Sequence, residues 1–182
     1  MDGRVALILS LPPSDERQAW IISDTGAVDR LGPANLHGSI AVSPDAQRIA
    51  YAVRSERSGV TTRLDEVWVA QAPAEQGNPQ YSVPTKGESI IDLVWAPDAQ
   101  NLLVATRETI TSGGVRTHLR WLTPDTGAAK DLVSLPSDVV PGSFLWSPSG
   151  KLVAFHTQSG SLPSLCLLEI ESGIVIFRFN VI

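Results

Sequence analysis

Three histidines, one cysteine and a scatter of turn acids are the side chains here whose type alone suggests chemistry, and their spacing decides what that chemistry could be. His37, His118 and His156 stand 81 and 38 residues apart. Metal-binding imidazoles in local motifs recur within a few residues, and these do not. Cys166 is the only cysteine, which excludes an intramolecular disulfide or a thiolate cluster built from this chain alone. Its setting, Ser-Leu-Cys-Leu-Leu-Glu-Ile, reads as a small apolar core position. Asp24, Asp45, Asp98 and Asp125 each follow a Ser or Pro, where a carboxylate bonds to nearby backbone amides, so they read as turn residues and not as a catalytic pair. The sequence has no G-x-S-x-G elbow, G-x-G-x-x-G or Walker loop, and no H-E-x-x-H or EF-hand motif. The expectation is a chain that is not an enzyme and carries no metal or cofactor.

What remains for recognition is arginine. Arg54, Arg57 and Arg63 fall in the polar stretch 54–65, and Arg107 and Arg116 in 107–117. These stretches, with 158–164, read as long loops, which cost little stability and often carry binding residues. The five arginines are therefore the candidate contacts with a protein partner. Nucleic acid is not an expected partner, because a net charge of -5 and a pI near 5.1 give no general attraction to phosphate or anionic lipid. With 43% hydrophobic and 18% charged residues, the 182-residue chain has the composition of a folded domain. No stretch approaches the roughly 18 apolar residues of a membrane span. The N-terminus reads as no signal peptide, since Pro12-Pro13 interrupts its short apolar run.

The elements that position these residues announce themselves by repetition. "AVSPDAQRIAYAV" (41–53), "VWAPDAQNLLVAT" (94–106) and "LWSPSGKLVAFHT" (145–157) share one device, a Pro turn between two apolar runs. Proline presets φ for the second position of a type I turn, and the following Asp or Ser bonds back to the backbone. Pro44, Pro97 and Pro148 lie 53 and 51 residues apart, a period of propeller-blade size. A second punctuator, Ser-Asp-Thr-Gly at 23–26, Pro-Asp-Thr-Gly at 124–127 and Ile-Glu-Ser-Gly at 170–173, reverses the chain again. Each unit therefore reads as four antiparallel strands, which in the central unit are 92–96, 101–106, 118–123 and 129–135. In the third of these, Leu119 and Trp121 alternate with His118, Arg120 and Leu122. Trp68, Trp95, Trp121 and Trp146 read as packing residues between units.

With those motifs in view, the chain resembles the TolB-like and WD-related β-propeller repeats, with "VSPDAQRIAY", "WAPDAQNLLV" and "WSPSGKLVAF" as the matching segments. Ala46 and Ala99 stand where the repeat usually has glycine, and the WD dipeptide is absent, which favours the TolB-like branch. The resemblance implies an all-β propeller with a partial blade at 4–38 and full blades at 39–88, 89–141 and 142–182, in a single domain spanning 1–182. It implies a non-catalytic protein-interaction scaffold or, alternatively, the propeller part of a larger hydrolase of prolyl-oligopeptidase type that gates substrate access. The count of fifteen strands is one short of four blades. The expectation is that the chain is part of a longer propeller or closes by association with copies of itself.

Overall fold

The computed structural model describes residues 5–11, 16–36, 38–56, 63–71, 77–83, 87–111, 113–159 and 162–180. Among them there is no helix, and the strands form four antiparallel sheets. The first holds β1 (Val5–Leu11), β2 (Glu16–Ile22) and β3 (Val28–Leu36). The second runs in chain order through β4 (Ile40–Val42), β5 (Arg48–Glu56), β6 (Arg63–Gln71) and β7 (Asn78–Ser82). The third repeats that order with β8 (Glu88–Trp95), β9 (Leu102–Ile110), β10 (Gly114–Thr123) and β11 (Ala128–Leu135). In the fourth, β12 (Asp138–Val139) and β13 (Leu145–Trp146) both pair with β14 (Leu152–Ser159), followed by β15 (Leu162–Glu169) and β16 (Ile174–Asn180).

The repeated Pro turn is built as its residues dictate. The Ala46 amide donates to the Ser43 carbonyl (2.8 Å), Ala99 to Ala96 (3.0 Å) and Gly150 to Ser147 (2.9 Å). Asp45 accepts from the Ser43 hydroxyl (2.5 Å) and the Gln47 amide (3.1 Å), and Asp98 accepts from the amides of Gln100 (2.8 Å) and Asn101 (3.1 Å). The turn ends with a left-handed residue, at φ 53° for Ala46, 55° for Ala99 and 69° for Gly150. Two alanines thus accept a conformation that costs an L-residue on the order of 1 kcal/mol. Both bury their methyl groups, which offsets part of that cost.

Two readings from sequence are corrected. The polar stretch 107–117 is mostly strand, and the described residues of 54–65 are strand as well: β5 runs to Glu56, β6 begins at Arg63, and β9 and β10 meet at a turn closed by the Gly113 amide on Ile110 (2.9 Å). Pairs such as Arg116 with Glu108 and Thr117 with Arg107 carry the ladder past the apolar core; cross-strand charge and Thr pairs sustain a strand without apolar alternation. The same holds for the described residues of 158–164, where β14 runs to Ser159 and β15 begins at Leu162. Second, Asp138–Val139 pairs with Gln158 and Thr157, so this strand belongs to the fourth sheet and not to a unit ending at 141. Pro141, which has no amide to donate, and Gly142 at φ 75° separate it from β13. Likewise Glu88 opens β8, opposite Glu108. Leu119 and Leu122 lie on opposite faces, as the alternation places them, and both are fully buried, because an interior sheet is covered on both sides.

Apolar contact between successive sheets makes the core. Ala19, Ile21 and Leu31 of the first sheet meet Ile49, Tyr51 and Ala70 of the second. Ala50, Val67 and Val69 of the second meet Leu93, Trp95, Val104 and Leu122 of the third. Leu103, Ala105 and Leu119 of the third meet Val153, Phe155, Cys166 and Leu168 of the fourth.

Candidate functional site

A cleft of about 300 Å³ opens where the inner strands converge. Ile40, Ala41, Val42 and Pro44 line it from the second sheet, Asp92, Leu93, Val94 and Trp95 from the third, and Gly142 and Phe144 from the approach to β13. Trp95 is fixed there because its indole N–H donates to the Ala41 carbonyl (3.1 Å) while the Arg48 guanidinium lies 4.7 Å from its ring centroid. Asp92 is the ionisable group of the lining. Its Oδ1 accepts from its neighbour Leu93 (2.9 Å) and its Oδ2 from the Gly142 amide (2.6 Å), so one carboxylate ties the third sheet to the loop entering the fourth. Burial raises its pKa above the ordinary carboxyl value of 3.8, against the weaker pull of those two amides. The acid inside the apolar run Ser-Ile-Ile-Asp-Leu-Val-Trp is the sequence signal that marks this site.

The five arginines share the hairpin ends but not one role. Arg54 donates from Nε to Asp65 (3.1 Å), whose other oxygen accepts the Ile90 amide of the next sheet (3.0 Å). Arg107 grips Asp138 of the fourth sheet through both Nε (2.8 Å) and a terminal nitrogen (2.6 Å). These two connect strands and sheets, and their heads are committed within the chain. Arg116 is exposed. Arg63 begins β6, and Arg57 lies outside the described residues. The histidines are not brought together: His118 is 3.3 Å from Glu108, His156 is exposed on β14, and His37 lies outside the described residues.

Buried charge is concentrated elsewhere, in a line across all four strands of the third sheet. Arg120 on β10 bonds to Glu88 on β8, to Thr106 on β9 (2.9 Å) and to Asp131 on β11 (2.6 Å), and Thr106 also bonds to Glu88. Burial opposes the arginine's charge, but Glu88 and Asp131 with nearby Tyr81 outweigh it and hold its pKa above the usual arginine value. Burial raises the pKa of Tyr81. This network of Arg120, Glu88, Thr106 and Asp131 ties the four strands of the sheet together. Among the described residues no group of three or more His, Cys, Asp or Glu could hold a metal ion.

Four-stranded antiparallel meanders packed face to face in series, with their inner strands adjoining, define a β-propeller array, and this chain is one. Solved structures place it in the same class. Oligogalacturonate lyase in complex with manganese aligns at TM-score 0.61 and 14% identity, over 91% of this chain and 42% of that one. The β-propeller domain of the Trilobed protease from Pyrococcus furiosus, described as having an open velcro topology, aligns at 0.54 and 9%, over 78% and 42%. TolB from Acinetobacter baumannii aligns at 0.43 and 14%, over 98% and 51%, a score too low to bear on the class. The chain thus spans about half or less of the length of each of these structures. No protein-family model and no curated protein matches the sequence.

Proposed function

We propose that this chain is a non-catalytic binding module that receives an apolar side chain of a protein partner in the cleft between β4 and β8. The apolar lining around one carboxylate carries the reading: it offers burial to an anchor residue and one acceptor to orient it. Arg57, Arg63 and Arg116 stay candidate contacts with the partner in this proposal, whereas Arg54 and Arg107 hold the scaffold. The lining pairs no nucleophile with a base, and the Asp92 carboxylate already serves two backbone amides.

The test uses peptides selected from a display library on the folded chain, in a background where Trp95 is the sole tryptophan. Selected peptides share an apolar anchor and shift Trp95 fluorescence on binding. Binders that leave Trp95 unchanged would remove the cleft from the reading. Turnover of generic ester, peptide or glycoside substrates, lost on His118→Ala or His156→Ala, would remove the non-catalytic role.

The second reading, the substrate-gating propeller of a larger hydrolase, is favoured by one observation: a propeller neighbour belongs to a protease. The coding region decides it. Continuation of the reading frame into a G-x-S-x-G domain supports this alternative, and a stop codon after Ile182 rejects it.

A further inference from the structure

The strand that carries Asp92 is irregular at that residue, whereas its counterpart in the second sheet is regular. Against β9, Ile90 faces Thr106 and Asp92 faces Ala105, so β8 holds one residue more than its partner at Ile91. β4 pairs with β5 without any such shift. Ile90, Leu93 and Trp95 turn toward the second sheet, while Ile91 and Val94 pack on the side of the fourth. In unbroken alternation from Ile90, Asp92 would point into the apolar contact with the second sheet. The extra residue moves it to the side of Val94, where the Gly142 amide reaches its Oδ2 (2.6 Å). A bulge of this kind re-aims a side chain, and here it delivers a carboxylate to the cleft lining.

Among the described residues of the lining, Asp92 is the only side-chain acceptor, between walls formed by Ile40, Val42, Pro44, Val94 and Phe144. The amides of Leu93 (2.9 Å) and Gly142 take up two of the roughly four lone pairs of a carboxylate. Trp95, the one side chain of that lining with an N–H, gives it to the Ala41 carbonyl. The remaining acceptor capacity is open to a donor that the occupant brings. A lysine or arginine head brings several donors, and burying them against one side-chain acceptor leaves most of them unmet. A leucine or phenylalanine brings none, and covering the carboxylate with it removes water without replacing its hydrogen bonds. Tyrosine brings a ring for the apolar walls and a single O–H. A cleft of about 300 Å³ is at the small end of the range for ligand pockets and suits one such ring.

Building on the binding reading above, which it requires, we infer that the anchor received by this cleft is a tyrosine of the partner, its ring against the apolar walls and its phenol O–H donated to Asp92. With the carboxylate ionised, that hydrogen bond is shorter and stronger than one between neutral groups, and the apolar lining shields it from water. Asp92 also holds the Gly142 amide, so a phenol at the same carboxylate is felt in the loop entering the fourth sheet.

Capped amino acids test it on the whole 182-residue chain. N-acetyl-tyrosinamide, N-acetyl-phenylalaninamide and N-acetyl-lysinamide are titrated at neutral pH while proton–nitrogen NMR follows the Trp95 indole and the Gly142 amide. The tyrosine probe moves both signals and binds about tenfold more tightly than the other two. In Asp92→Asn, whose fold the same spectrum checks, its advantage over the phenylalanine probe falls below about twofold. A phenylalanine or lysine probe that binds as tightly as the tyrosine probe overturns the inference and leaves the cleft a binding site. So does a tyrosine advantage that Asp92→Asn leaves intact. If no probe moves Trp95, the cleft receives no side chain, and the binding reading falls together with the tyrosine. Should Asp92→Asn lose its fold, N-acetyl-O-methyltyrosinamide on the wild type takes its place, because it keeps the ring and lacks the donor. Binding as tight as that of the tyrosine probe then overturns the inference.

Discussion

The contact between the second and third sheets and the outward face of the first sheet are built from similar strands, yet they differ in what holds them. At the interior contact, apolar burial is joined by directional bonds that cross between sheets: Trp95 to Ala41, Asp65 to Ile90, and Arg48 to Asp125 (3.0 Å) and to the Ala99 carbonyl. The outward face carries the same residue types without a counterpart, and Val5, Leu7, Leu9 and Val28 stay exposed. A propeller sheet is thus not a finished unit. Its apolar faces are specified by the strand pattern, but the bonds that fix its angle and register come from the neighbour.

The largest expected effect separates these two regions. Trp95 is 4% exposed and packed between sheets, so Trp95→Ala should cost about 3–5 kcal/mol in urea unfolding. Trp20 on the outward face is half-buried, and Trp20→Ala should cost less than about 2 kcal/mol. Equal losses would show that the first sheet is covered on both sides in solution.

Much of this arrangement was legible in the sequence because its signals are local. The Pro turns and the Asp-Thr-Gly turns are short-range chemistry, and they place most sheets and strands of the array. Strand length was not legible where the ladder is polar: Arg107, Glu108, Thr109 and Ile110 continue β9 because β10 pairs with them, and pairing is a property of two segments. The same limit governs the site. Arg54 and Arg107 look like free contact residues until Asp65 and Asp138 arrive from other strands. Asp92 could have been noticed as an acid in an apolar run, but its partner Gly142 lies 50 residues on.

A smaller effect compares one turn position in three settings. Gly26, Gly127 and Gly173 all have positive φ (82°, 68° and 69°), so substitution by alanine carries a shared conformational cost of about 1 kcal/mol. Only the surroundings differ. Gly173→Ala drives its Cβ into the Leu132 backbone carbonyl, adding roughly 1–3 kcal/mol of overpacking. Gly127→Ala should fall between, and Gly26→Ala should show the conformational cost alone when measured on dilute protein. Melting midpoints should fall in the order Gly173→Ala, Gly127→Ala, Gly26→Ala, lowest first, because among the described residues nothing lies within 4 Å of a Cβ added at Gly26. A Gly26→Ala variant as damaged as Gly173→Ala at low concentration would mean that other residues of the chain pack against Gly26.

The smallest effect contrasts two acids in neighbouring repeats, one on an inner strand and one in a turn. Burial dominates at Asp92 and raises its pKa above 3.8. At Asp45 burial also pulls upward, but the Ser43 hydroxyl, the Gln47 amide and the Arg48 charge together outweigh it and hold the group below 3.8. The signs of the linkage are then opposite. Asp92, raised in the folded state, contributes stability that is full below 3.8 and lost as pH rises through its folded pKa. Asp45, lowered, contributes stability that is present above 3.8 and lost as pH falls through its folded pKa. A carboxyl-carbon NMR titration should therefore find Asp92 titrating above Asp45. The stability gap between wild type and Asp45→Asn should close in acid, whereas the Asp92→Asn gap should move toward the wild type there. If the two carboxyls titrate in the reverse order, the Asp92 carboxylate is hydrated in solution and the cleft beside it is wider than the 300 Å³ described.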